Sequence, residues 1–346
     1  MKPLHLIALA AVLALAACSP GPKSASSAAP AAASGLTPIK FATDWHAQAE
    51  QGGFYQALAT GEYSKRGLEV TIVQGGPSVN VPQLLASGAV DLGMGSNSFI
   101  VLNLAQEKAP VKAVAAFMQK DPQVLIAHPG QGIKSIADMK GHPILLSDAS
   151  VTAFWVWLKS KYHFTDGQVR KYTFNSAPFL ADKRVIQQGY ATSEPFEVAR
   201  EGGFRPNVFL LADYGYDSYS TLIETRRDLI DKNPDLVQRF VDASIVGWMN
   251  YIYGDNAKAN ALIRRDNPDI SADLLAYSVA KMRELGIVDS GDAQKLGVGA
   301  MTGPRIRSFF AKMAAAGLFK SDLAYADAYT LQFVGKGVGI DLRRRQ

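Results

Sequence analysis

Short, β-prone apolar runs alternate with stretches of helical period along most of the chain. The run 39–43 predicts a strand. Polar and aromatic residues then surround the paired glycines Gly52 and Gly53. Phe54, Ala57, Leu58 and Tyr63 follow at roughly the i, i+3, i+4 spacing of a helix that stops at Gly67. A strand over 69–73, a short helix over 79–87 stopped by Gly88, a buried strand over 90–94, a helix over 99–106 and a strand over 111–117 come next. Strands and helices joined by short loops predict a parallel sheet covered by helices on both faces.

The same alternation resumes with predicted strands over 123–127 and 144–146. A helix over 152–162 carries Phe154, Trp155 and Trp157. An extended run over 172–174, a helix over 179–187 and strands over 191–193 and 208–211 complete the block. Both blocks show one plan: a glycine (Gly88, Gly189), a short strand, then a polar break at Ser96-Asn97 or Glu194-Pro195. From Arg226 onward the pattern is helical, and Asn233-Pro234 starts an amphipathic segment, NPDLVQRFVDASIVGWMNYIY. Helices over 256–265, 272–285 and 304–315 follow. A helical tail after two α/β blocks predicts a return to the first, with crossovers near 127–128 and 221–224. The expected units are lobe 1 over 37–127, lobe 2 over 128–222, and a returning C-terminal part over 223–346.

The N-terminus changes the picture. Lys2 and His5 precede an apolar run over 6–17, too short for a comfortable bilayer span, which predicts a signal peptide over 1–17. Leu15-Ala16-Ala17-Cys18 resembles the bacterial lipoprotein processing box, and that resemblance implies acylation of Cys18. Residues 18–36, rich in Ala, Ser, Pro and Gly, predict a flexible tether between a membrane and the folded part. Cys18 is the sole cysteine, so the folded part has no disulfide, thiolate metal site or cysteine nucleophile. The formal charge of +5 lies partly in Lys2 and in the Arg343-Arg344-Arg345 tail. No basic stripe interleaves with aromatics, which argues against nucleic acid.

Strand ends supply the candidate ligand residues, because open α/β sheets bind ligands where strands meet helix N-termini. Asp44, Trp45 and His46 follow the first strand, and Ser96 and Asn97 follow the third. Glu194 precedes Pro195, which disfavours a helix-interior position and puts it at a turn; Tyr190 and Phe196 flank it. Trp155 is the ring expected to face the cleft from the second block. His46 has no metal spacing to His5, His128, His142 or His163, so no metal site is expected. PGQGIKS over 129–135 lacks the core of a phosphate loop, GMGSNS is not a nucleophile elbow, and no cofactor or catalytic set is expected.

The segments DWHAQAEQGGFYQALATGEYSKRGLEV, GGPSVNVPQLLASGAVDLGMGS and FLADKRVIQQGYATSEPF resemble ABC-transporter substrate-binding proteins of the sulfonate, nitrate and thiamine-pyrimidine-precursor group. The resemblance implies an α/β type II periplasmic-binding-protein fold, two Rossmann-like lobes joined by a two-crossover hinge. It implies a monomeric, membrane-anchored periplasmic lipoprotein that delivers a small molecule to an inner-membrane ABC permease. The thiamine-precursor branch resembles this chain in Asp44-Trp45 and in an acid at Glu194. That pair suits an aminopyrimidine, with a ring to stack on and a carboxylate to accept from its amine. An aliphatic sulfonate or related anion is the alternative ligand. The related thiamine-pyrimidine synthases are the rival from another class. They carry a cysteine-rich iron motif, and a lysine for pyridoxal phosphate followed by a histidine, where this chain has Thr60 and Glu62-Tyr63-Ser64.

Overall fold

The computed structural model describes residues 35–77 and 79–343. The expected signal segment, Cys18, nearly all of the tether, Arg344 and Arg345 lie outside the described residues. Among the described residues no helix is long and apolar enough to cross a membrane.

The strands in chain order are β1 (Thr37–Ala42), β2 (Leu68–Val73), β3 (Leu92–Asn97), β4 (Val111–Met118), β5 (Gln123–Ala127), β6 (Ile144–Leu146), β7 (Val169–Lys171), β8 (Ile186–Tyr190), β9 (Asn207–Leu210) and β10 (Ser220–Arg226). They form two five-stranded sheets, ordered β2-β1-β3-β10-β4 and β7-β6-β8-β5-β9. In each sheet the fourth strand runs antiparallel to both neighbours, while the first three pair in parallel. That fourth strand is the first one laid down after a crossing between sheets. The two lobes are therefore copies in topology.

This arrangement moves both crossovers. β5, expected to close the first lobe at residue 127, pairs with β8 and β9 of the second sheet. β10, expected to span the return hinge, lies wholly between β3 and β4 of the first sheet. The chain crosses at 119–122 and returns at 211–219. An apolar run reveals a strand, not its partner, and β5 is as buried as β4. The second block differs locally as well. The helix expected over 179–187 is confined to Ala177–Ala181, after which Asp182-Lys183-Arg184 break it. The strand expected over 191–193 is β8 at Ile186–Tyr190, and 191–193 is the turn beyond it.

Helix α1 (Gly52–Ala59) and the long helix Pro234–Tyr253 cover one face of the first sheet. Helices α2 (Val81–Ala86) and α3 (Ser98–Gln106) cover the other. The paired glycines owe their identity to this packing. A Cβ at Gly53 would stand 2.1 Å from the Trp248 ring, and one at Gly52 would stand 2.1 Å from Tyr251. Their lack of side chains brings α1 onto the long helix, where Phe41, Phe54, Phe117 and Trp248 pack edge to face or stacked. Each such ring is fully buried and contributes about 1.5–3 kcal/mol through its apolar area. The rigid floor of the first lobe, from which the site residues project, rests on this cluster.

Candidate ligand-binding cleft

β1, β3 and β8 all end at the line where the two lobes meet. Asp44 and Trp45 follow β1 one residue on, after Thr43. The Ser96 hydroxyl donates to Asp44 Oδ2 at 2.6 Å, tying the ends of β1 and β3 together. β3 runs on through Asn97, so Ser96 and Asn97 are its last residues rather than a loop beyond it. Asn97 is buried and its Oδ1 accepts from the Phe99 amide, capping α3. Its side chain lies beside Asp121, in the first crossing segment, and works against the rise that burial imposes on that carboxyl.

From the second lobe, β8 delivers Tyr190, and the turn after it delivers Thr192, Ser193 and Glu194. Glu194 opens the helix Glu194–Gly202, with Pro195 in its first turn. Its Oε2 accepts from the Tyr190 amide at 2.7 Å and from the Ser193 hydroxyl at 2.5 Å. The carboxyl thus folds back over Gly189, where an added Cβ would meet Glu194 Cβ at 2.8 Å.

Contacts between the lobes close the cleft. The Thr192 hydroxyl donates to Glu50 Oε1, Ser278 donates to the Thr192 carbonyl at 2.6 Å, and Tyr277 donates to the Ala191 carbonyl at 3.3 Å. The Trp45 ring meets Phe174, from the loop after β7, with centroids 4.9 Å apart and planes at 51°. Phe174 is 48% exposed and holds a positive φ of 60°, an uncommon backbone state for a bulky residue. His46 is exposed and packs edge-on to Trp45 at 5.6 Å.

Two expected ring contacts sit elsewhere. Trp155 is 0% exposed and belongs to the core of the second lobe. Its indole N–H donates to Asp166 at 2.8 Å and its ring packs on Phe164. It does not face the cleft; the helix Phe154–Tyr162 turns it inward because Phe154, Trp157 and Leu158 share the apolar demand of the same core. Phe196 packs on Tyr277 at 5.2 Å with Arg200 over its ring, in the contact between the lobes.

The electrostatics of the cleft are one-sided. Burial pushes the Glu50 carboxyl up to about 7, with Glu194 and Asp44 adding to the rise against the Thr192 bond. Burial likewise raises Asp121 to about 7, and Asp44 and Glu194 are raised by the same cause. The Tyr190 phenol is pushed far up by burial and then by Asp121, Asp44, Glu50 and Glu194 together. All four acids therefore act on this one ring. Farther along the first sheet, Glu224 is fully buried and neither carboxyl oxygen has a partner among the described residues. Burial, then Asp44, raises it to about 8. No Lys, Arg or His contributes to the shift of any of these acids. Among the described residues no group of three or more His, Cys, Asp or Glu is placed to hold a metal ion.

Sequence reasoning missed Glu50, Asp121 and Phe174. Glu50 and Asp121 lie in short polar runs beside a glycine pair and a proline, where an acid usually stays solvated. Their burial follows from closure of the lobes, which local pattern does not show. A groove of about 500 Å³ beside β9 and the helix Ala272–Glu284 shares only Ala191 and Tyr277 with these contacts.

The family model described as NMT1/THI5 like matches residues 48–257, a span holding α1, both crossings and every acid named above except Asp44. The chain belongs to the NMT1/THI5-like family. It is 24% identical to the riboflavin-binding protein RibY of Chloroflexus aurantiacus, over 94% of this chain and 96% of that protein. It is 21% identical to the formylaminopyrimidine-binding protein of Halalkalibacterium halodurans, over 76% of this chain and 79% of that one. Among solved structures, the alkanesulfonate-binding protein SsuA of Xanthomonas axonopodis pv. citri, bound to MOPS, superposes with a TM-score of 0.62 at 13% identity, covering 85% of this chain and 98% of that one. The desulfurization enzyme DSZB also superposes, with a TM-score of 0.54 at 14% identity over 89% and 99% of the two chains. The fold is that of the periplasmic binding proteins, and on DSZB it carries catalysis.

Proposed function

We propose that this chain is the extracytoplasmic solute-binding component of an ABC importer. It captures one flat, nitrogen-bearing heteroaromatic molecule, of the thiamine-precursor aminopyrimidine type, between its lobes. It hands that molecule unchanged to a membrane permease, working as a monomer held to the membrane through acylated Cys18. The observation that carries the reading is the Trp45–Phe174 ring pair, contributed from opposite lobes, with Asp44 next to Trp45 in the chain. The two rings touch each other as they stand, so a flat ring stacks on both of them only where the lobes part to admit it, and the nearby acids accept from its N–H groups. Both named relatives bind flat nitrogen heterocycles, which supports the same class.

Binding works as a shift of population. Contacts to both lobes exist only in the closed state, so a ligand that touches both favours closure by its differential affinity. A binding role also fits acids to whose shifts no Lys, Arg or His contributes among the described residues. The sulfonate alternative fits less well, because an anion would enter a site lined by Asp44, Glu50, Asp121 and Glu194, to whose shifts no Lys, Arg or His contributes among the described residues. The synthase alternative lacks its cysteines and its lysine.

Titrating 4-aminopyrimidine and benzenesulfonate into the protein while following tryptophan fluorescence tests the reading. Saturable quenching by the aminopyrimidine, with the compound recovered chemically unchanged, is expected. Saturable binding of the sulfonate alone, or conversion of the heterocycle, would overturn it.

A further inference from the structure

Thr192 stands midway in the turn that carries Tyr190 and Glu194, and that turn is braced as one piece. The Ala191 amide donates to the Pro122 carbonyl at 2.8 Å, and the Ser193 amide donates to the Tyr190 carbonyl at 3.0 Å. Glu194 holds the Tyr190 amide and the Ser193 hydroxyl from its own side. Whatever grips Thr192 therefore also sets where Tyr190 and Glu194 stand in the cleft.

Thr192 is fully buried, and both of its polar ends are held from the first lobe. Its hydroxyl donates to Glu50, in the short turn Ala49–Gln51, and its carbonyl accepts from Ser278, in the helix Ala272–Glu284. Ala49 and Leu275 root both elements in the apolar core of the first lobe. The grip is built to release. The Ser278 hydroxyl has one hydrogen and a second acceptor within reach, the Leu274 carbonyl one turn back at 2.7 Å. When the lobes part, that hydrogen turns to Leu274 and no donor is stranded, while Thr192 and Glu50 turn to water. Exchanging such a bond for water shifts an equilibrium only about two- to tenfold, which suits a reversible contact.

We infer that Thr192, gripped by Glu50 and Ser278, is a latch that holds the lobes together by the protein's own bonds, and that Ser278 is a positioning residue for the ligand through it. The free chain then spends a substantial part of its time closed. The apparent affinity of any molecule that needs the closed form falls by the factor by which that closed fraction falls. The effect on binding rests on the reading of the cleft as a ligand site, and the latch itself does not.

Small-angle X-ray scattering of the extensively dialysed full chain, with no small molecule added, reads the latch directly. Thr192→Val keeps the side chain's shape and removes its hydroxyl; Ser278→Ala removes the partner of the Thr192 carbonyl. Both should enlarge the radius of gyration, Thr192→Ser should match wild type, and melting curves that remain cooperative show the fold intact. Stopped-flow tryptophan fluorescence with 4-aminopyrimidine gives the second readout. Thr192→Val and Ser278→Ala should each raise its Kd about fivefold, chiefly through faster dissociation, and Thr192→Ser should stay within about twofold of wild type. Radii and dissociation constants equal to wild type in both variants would overturn the latch. So would weaker binding in Thr192→Val alone with unchanged radii, which would make Thr192 a ligand contact, or a Thr192→Ser variant as weak as Thr192→Val. Failure of 4-aminopyrimidine to bind the wild type would overturn the ligand reading instead, and the scattering alone would then decide the latch.

Discussion

Two acid-rich regions lie close together in this molecule and are built on opposite plans. At the hinge the carboxylates have cations. Asp217 holds Lys312 at 2.8 Å, Asp213 holds Lys120 at 3.1 Å, Asp292 holds Arg305 at 3.7 Å, and Asp289 is clasped by Arg343. Arg305 also stacks on Tyr219 at 4.1 Å and bonds both crossing segments. In the cleft, Asp44, Glu50, Asp121 and Glu194 have only hydroxyls and amides as partners. The hinge carboxylates are each paired with a cation in this structure. The cleft acids have no such cation contributing to their shifts among the described residues.

The largest effect belongs to the aromatic wall of the cleft. Trp45→Ala should weaken binding of the captured heteroaromatic by more than tenfold in calorimetry, through loss of stacking and of the pair with Phe174. Unchanged affinity in a folded variant would remove Trp45 from the site. The acids make the next prediction, one of stability. Glu50 and Asp121 keep protons in the folded state up to about pH 7, while the unfolded chain gives them up near ordinary carboxylate values. The folded state thus binds more protons in that window, and unfolding free energy falls as pH rises from about 4.5 to about 7. Glu224 extends the fall to about pH 8. Melting temperature across this range should decline, and the Glu50→Gln, Asp121→Asn double variant should flatten the decline. A wild-type profile that rises through the window would show that these acids are ionised in the fold.

At the hinge the expectation reverses. Arg305→Ala should cost about 2 kcal/mol of stability by denaturant unfolding, because it strands carbonyls and Asp292 in a mostly buried setting. It should leave the order of preference among ligands unchanged. A change in that order would mean the two regions are not separable. The smallest effect is expected at Trp155. Trp155→Phe should lower stability by about 1 kcal/mol through the lost bond to Asp166, with affinity within about twofold of wild type.

Trp155 also shows where the sequence stopped being informative. Alternation of strands and helices gave the α/β class, and the repeated glycine, strand and polar break foreshadowed two lobes of one topology. Strand ends gave Asp44, Trp45 and Ser96 as candidates because a strand's polar terminus is a local property. Partner choice is not local. β5 reads as a continuation of the first block, yet it pairs between β8 and β9. Trp155, on the helix predicted over 152–162, reads as the ring facing the cleft, yet the facing of its helix is decided by Phe164 and Asp166 packing beneath it. Glu50 and Asp121 escaped notice for the same reason, since only the meeting of the lobes buries them. The glycine pair at Gly52 and Gly53 answers to Trp248 and Tyr251, about two hundred residues along the chain, which no local pattern shows.

Mass spectrometry of the small molecule released by mild denaturation from freshly purified full-length protein tests the central claim most directly. One flat heteroaromatic bearing a basic nitrogen, recovered in a one-to-one ratio and chemically intact, is the predicted result. A sulfonate or another anion in its place, or a product formed by the protein from an added heterocycle, would contradict the account.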